Sequence, residues 1–145
     1  MNVYFETSAL IKLFVEEPGA EEARDLWDEA ALTSVTLVAY PEARSALAAA
    51  SRAGRISIAE LQLFKRKFDR RWSQMQIVDF DQTIAFAAGD AAEQYGLRGY
   101  DAVHLATAIS LQDESLVVAT WDIDLASACI AAGLPVAPRV LRSRR

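Results

Sequence analysis

Cysteine and histidine are almost missing from this 145-residue chain, which has one of each, Cys129 and His104. With no second thiol, disulfides and thiolate metal sites are excluded. With no second imidazole, a histidine-based metal site is excluded too. Cys129 lies in the alanine-rich run Ala126 to Ala132, where a small residue on an apolar helix face reads as core rather than as a nucleophile. Long apolar runs are also missing. No stretch approaches the roughly 18 to 20 residues of a membrane span, so no membrane partner is expected. Met1-Asn2-Val3-Tyr4-Phe5-Glu6 has no basic segment leading into an apolar one, and a cytoplasmic location is expected. Nor is there an excess of positive charge: 15 Lys and Arg against 20 Asp and Glu leave −5. That excludes holding nucleic acid by global attraction, so any such contact has to be local and helped by a metal's charge. Low Gly and Pro content, 6 and 4, with 52% hydrophobic residues, excludes a disordered chain.

What is present is an alternation of short apolar runs and helical periodicity. Val3 to Phe5 reads as a strand, and Thr7 and Ser8 offer N-cap chemistry before Leu10, Ile11, Leu13 and Phe14 at helical spacing. Pro18 and Gly19 break that pattern, and Glu21 to Ala30 resumes it with Ala23, Leu26, Trp27 and Ala30 on one face. Leu32 to Val35 reads as a second strand and Leu37 to Ala53 as a helix that Pro41 kinks or starts. Past Gly54, Ser57 and Glu60 form a capping box for a helix running to about Ser73. Ile77 to Phe80 is a third strand, Thr83 to Tyr95 a helix closed by Gly96, and Tyr100 to Gln112 another helix. Leu116 to Thr120 is a fourth strand, Asp124 to Ala132 a helix, and Pro135 to Ala137 a short fifth strand. These elements predict an α/β fold, a three-layer α/β/α sandwich around a parallel sheet of about five strands. A single domain over residues 1–138 is expected, followed by a basic, frayed tail over 139–145.

In such sheets ligands collect beyond the carboxyl ends of the strands. Glu6 follows the first strand and Asp122 the fourth, while Glu42 and Asp101 stand near two helix starts. Each acid alone has a plain reading: a solvated residue or dipole partner for Glu42, a cap for Asp101, turn or cap residues for Asp122 and Asp124. Together they predict a site for a hard cation, Mg2+ or Mn2+, which takes oxygen ligands and offsets carboxylate repulsion. Phosphodiester hydrolysis by metal-activated water is the chemistry such a site serves, with RNA as the leading substrate. Thr7, Ser8, Thr120 and Asp124 stand beside these acids and are expected to orient them.

Four blocks carry a family resemblance: Val3-Tyr4-Phe5-Glu6-Thr7-Ser8-Ala9-Leu10; Tyr40-Pro41-Glu42-Ala43-Arg44-Ser45-Ala46-Leu47; Leu97-Arg98-Gly99-Tyr100-Asp101-Ala102-Val103-His104-Leu105-Ala106; and Thr120-Trp121-Asp122 leading to Leu125. In order, spacing and total length the chain resembles the PIN-domain ribonucleases, and specifically the toxin subunits of VapBC toxin–antitoxin pairs. The resemblance implies a Mg2+- or Mn2+-dependent endoribonuclease with Glu6, Glu42, Asp101 and Asp122 as catalytic and metal-binding acids. It also implies a VapB-type antitoxin whose C-terminal segment covers the active site, and a homodimer. One position departs from the family pattern, which has aspartate where this chain has Glu6. The extra methylene moves the carboxylate by up to about 1.5 Å, one C–C bond, and predicts an attenuated nuclease. The competing expectation is a PIN-like module that binds antitoxin or RNA without efficient chemistry.

Among the basic residues, Lys12, Arg44 and Arg98 lie closest in sequence to the acids and are candidates for substrate phosphates. Lys65-Arg66-Lys67 with Arg70 and Arg71 reads first as a solvated helix face. His104, three residues after Asp101, shares its helix face; it reads first as a packed histidine or one that steadies an acid, with contact to substrate as the other reading. Leu10, Leu13, Phe14 and Trp27 read as core that could leave a groove for a partner helix. A phospho-acceptor receiver domain needs a late lysine, and none follows Lys67. A haloacid-dehalogenase-type phosphatase would place Asp122-Ile123-Asp124 after the first strand with a Thr two residues on, where Ala126 stands.

Overall fold

A computed structural model describes residues 1–139; of the basic tail, Val140 to Arg145 lie outside the described residues. The chain runs β1 (Asn2–Phe5), α1 (Thr7–Lys12), α2 (Ala20–Glu29), β2 (Leu32–Thr36), α3 (Ala39–Arg52), α4 (Ile58–Trp72), β3 (Gln76–Val78), α5 (Gln82–Tyr95), α6 (Gly99–Ser110), β4 (Leu116–Ala119), α7 (Ile123–Ala131) and β5 (Val136–Ala137). The strands form one sheet in the order β3-β2-β1-β4-β5, and every neighbouring pair is parallel. The three-layer α/β/α plan read from the sequence is the one observed.

Alternation along the strands assigns the layers. Val3 and Phe5 enter one apolar cluster with Leu10, Ala23, Ala43 and Phe68, from α1 to α4. Tyr4 and Val118 enter the other with Ile84, Leu105 and Leu125, from α5 to α7. β1 is therefore buried on both faces, as a central parallel strand must be. No described helix is long and apolar enough to cross a membrane.

Local chemistry explains most boundaries. Ser57 accepts from the Glu60 N–H and Glu60 reaches back to the Ser57 N–H, so the expected capping box closes the start of α4. Pro41 stands in the first turn of α3, where its missing N–H would find no helical partner anyway, so it starts the helix rather than kinking it. The third strand ends at Val78, short of the expected Phe80. The expected N-caps Thr7 and Ser8 are corrected: the cap position of α1 belongs to Glu6, with both hydroxyl residues inside the helix. Their hydroxyls are committed to the acids of the site, which outbid the local backbone.

Candidate functional site

Going outward from β1, the chain proceeds through β2 and β3 on one side and through β4 and β5 on the other. The order reverses between β1 and β4, and the carboxyl ends of strands at such a reversal are where doubly wound sheets bind ligands, in the crevice this topology leaves. Glu6 is the first residue past β1, tied to β4 by its N–H donating to the Ala119 carbonyl at 3.0 Å. Thr120 and Asp122 follow β4 on the facing side of that crevice.

Glu6 is only 6% exposed, so its carboxylate requires partners. Ser8 Oγ and Thr120 Oγ1, the latter at 2.8 Å, both donate to its Oε2. Each hydroxyl in turn accepts from the β4–α7 segment: Trp121 N–H donates to Ser8 at 2.9 Å and Asp122 N–H to Thr120 at 3.1 Å. Two short relays thus hang the Asp122 segment on Glu6. Trp121 fixes that segment further by packing where a side chain on Gly19 would stand, since an added Cβ would lie 2.6 Å from its Nε1.

Glu42, in the first turn of α3, is held through Oε1, which accepts from Thr7 Oγ1 at 3.0 Å and lies 2.9 Å from His104 Nε2. Asp122 caps α7, its Oδ1 accepting from the Leu125 N–H at 3.0 Å, so the plain cap reading of that residue holds. Asp101 lies in the first turn of α6. Burial first, and then the nearby Asp122, push its pKa above the ordinary carboxylate value. Arg98 offsets part of that cost, with Nε 3.3 Å from Asp101 and Nη2 3.8 Å from Asp122. These three residues, with Asp124, line a cavity of about 400 Å³.

Thr7, Ser8 and Thr120 therefore stand where the sequence places them, each bonded to an acid. Asp124 shares the cavity but makes no hydrogen bond to the four acids among the described residues. Of the three basic candidates only Arg98 reaches the acids. Lys12 pairs with Glu17 at 3.0 Å and lies over the Trp121 ring, and Arg44 donates to the Tyr40 hydroxyl at 3.0 Å. Sequence reasoning gave Tyr4 no role beyond its strand, yet its hydroxyl is 2.9 Å from His104 Nδ1. The available signal was a tyrosine within an apolar central strand, where a buried hydroxyl requires a partner.

As placed, no three Asp, Glu, His or Cys side chains among the described residues are grouped tightly enough to hold a metal ion. The donor set nevertheless suits a hard cation that keeps several waters and accepts one or two carboxylates directly. Among the described residues, the hydrogen bonds of Glu6 fall on Oε2 and those of Glu42 on Oε1, which leaves one oxygen of each for a ligand. Asp101 and Asp122 stand close enough for each other's charge to be felt, with Arg98 between them, and a cation there would offset that repulsion.

The PIN domain family matches residues 3–130. The chain belongs to the PIN-domain family. Two proteins of Mycobacterium tuberculosis, Ribonuclease VapC45 and Ribonuclease VapC49, are each 44% identical to it over 141 residues, 96% of either chain. A toxin–antitoxin complex from Klebsiella pneumoniae contains a chain that superposes with a TM-score of 0.64 over 97% of this chain and 99% of its own, at 23% identity. That likeness concerns the PIN fold. In this PIN domain Asp101 and Asp122 share a cavity with Arg98 and Asp124, while Glu6 is joined to the Asp122 segment through Thr120 and Ser8.

Proposed function

We propose that this PIN-domain protein is a VapC-type endoribonuclease, the toxin of a type II toxin–antitoxin pair, hydrolysing RNA phosphodiester bonds with a divalent metal. The observation that carries the reading is the acidic crevice at the strand-order reversal, in a chain 44% identical to proteins named as ribonucleases. Glu6, Glu42, Asp101 and Asp122 are the proposed metal-binding and catalytic residues. Mg2+ or Mn2+, once bound, would supply positive charge against the phosphodiester and make water acidic enough to attack it. Thr7, Ser8 and Thr120 fix the carboxylates in advance, and Arg98 is the cation available to a scissile phosphate when it leaves Asp101 and Asp122.

The proposed partner is a VapB-type antitoxin. A groove of about 880 Å³ runs between the α1–α2 region and α4, with Leu13, Phe14, Trp27 and Phe64 as apolar lining and the cations Arg24, Arg55, Lys67, Arg70 and Arg71 outnumbering the acids Glu16, Asp28 and Glu60. It suits an amphipathic segment with acidic positions. For a homodimer the exposed Leu37, Phe80 and Tyr100, which line two adjoining apolar hollows sharing Phe80, provide a surface.

Glu6 favours a second reading, a weakened PIN module that mainly binds antitoxin or RNA. One experiment separates the two: cleavage of a mixed tRNA and rRNA pool in Mg2+, Mn2+ or EDTA by the chain, Asp101→Asn and Glu6→Asp. The nuclease reading expects cutting that EDTA and Asp101→Asn abolish, with Glu6→Asp faster by up to about 100-fold if the extra methylene displaces the carboxylate by about 1 Å. Cutting only by Glu6→Asp would support the weakened module, and metal-independent cutting would sink the proposed chemistry.

A further inference from the structure

The chain's single histidine is 1% exposed and meets polar groups at both ring nitrogens. Nδ1 is 2.9 Å from the Tyr4 hydroxyl. Nε2 is 2.9 Å from Glu42 Oε1 and 3.2 Å from Thr7 Oγ1. Donor arithmetic then assigns the protons. A carboxylate can only accept, so Nε2 carries hydrogen toward Glu42. Thr7 spends its one hydroxyl proton on the same Glu42 oxygen, at 3.0 Å, and can only accept from the ring. A neutral ring with its hydrogen on Nε2 has a lone pair on Nδ1, so the fully buried Tyr4 hydroxyl is the donor there.

Packing alone does not require this. Edge-on contact of the ring with Tyr4, 5.9 Å between centroids, would be served by a leucine of similar size. The polar chain instead links β1, α6, α1 and α3, and it ends on one oxygen of one acid. With Oε1 held by two donors, the remaining freedom of Glu42 is to present Oε2.

We propose that His104 is a positioning residue, locked as its Nε2–H tautomer by the Tyr4 hydroxyl, that holds Glu42 Oε1 and so leaves Oε2 as the oxygen that would take a divalent cation. The inference rests on the nuclease reading for its purpose, but its geometry is measurable without catalysis. Groups that orient metal ligands in this way typically change affinity or activity by about 10–100-fold when removed.

Because there is one histidine, its ring nitrogen signals in 15N NMR need no assignment. They are expected to show a protonated Nε2 and an unprotonated Nδ1. Calorimetry with Mn2+ on the full chain should find binding weakened about 10–100-fold in His104→Leu and largely restored in His104→Gln, whose amide nitrogen can stand where Nε2 does. RNA cleavage should lose kcat in the same order, with KM nearly constant. A folded His104→Leu with unchanged Mn2+ affinity, a Nδ1–H tautomer in the native chain, or no Mn2+ binding by that chain would each overturn the inference. Should His104→Leu not fold, Tyr4→Phe decides. A tautomer mixture with several-fold weaker Mn2+ binding supports the lock, and an unchanged ring and affinity overturn it. A native chain that binds Mn2+ and shows the expected variants, yet cuts no RNA, would remove the nuclease reading and leave the positioning role standing.

Discussion

At the residue scale, the acids of this site are defined less by their charge than by what occupies their other oxygens. Arg98 makes the point testable. Its side chain is 83% exposed, so its pairing with Asp101 and Asp122 adds little to stability. It nevertheless places a cation where a metal would add its own charge. Arg98→Ala is expected to bind Mn2+ about 2- to 5-fold more tightly, since an exposed competing pair is worth at most about 1 kcal/mol, while its KM for RNA rises. Loss of a ligand would move affinity the other way, and calorimetry distinguishes the two by sign. That acids fall at the ends of elements was legible in the sequence, since strand ends and helix starts are local signals. Their partners were not: nothing in the local pattern says that Ser8 serves Glu6 while Thr7, one residue earlier, serves Glu42. That division follows from the 100° turn per residue of α1 and from α3 packing beside it.

At the element scale, the helices and strands were legible almost throughout, since period and caps are local signals. Errors fell where tertiary bonding displaced local chemistry. α1 lacks a side-chain cap because its hydroxyls face the crevice, and β3 stops early because only Gln76 to Val78 pair with β2. The capping box of α4 is exposed and independent of the site, so Ser57→Ala should cost about 1 kcal/mol without altering Mn2+ affinity. A fall in affinity would mean that α4 couples to the crevice. Gly19 is the contrasting case. Its φ of +92° and the Trp121 ring against it both exclude a side chain, and Trp121 carries the backbone bonded to Ser8. Gly19→Ala should therefore lose more than about 1 kcal/mol from backbone conformation alone and also weaken Mn2+ binding. A thermal denaturation curve and a calorimetric titration check the two effects separately.

At the scale of the whole molecule, the strand order is the feature the sequence did not disclose. Alternating elements predict a parallel sheet, but only tertiary pairing places β1 between β2 and β4 and so makes Glu6 and Asp122 neighbours. The same arrangement brings two neutral acids into one layer. Tyr4 and Cys129 lie in the cluster covered by α5 to α7. Burial, with Glu6 adding to it, pushes the Cys129 thiol from 9.0 up to about 12, and burial raises Tyr4 as well. Both groups have folded pKa values above their unfolded ones. Above pH 9 the unfolded chain releases protons that the folded chain retains, so stability is present in full below that pH and is lost progressively toward 12. At pH 10.5 Cys129 alone should remove about 2 kcal/mol, at 1.36 kcal/mol per pKa unit. Urea unfolding at pH 7 and 10.5 should show a lower midpoint at the higher pH with an unchanged slope, and Cys129→Ala should recover a large part of the difference. Equal midpoints in the native chain would mean that solvent reaches this layer and that the thiol ionises in place.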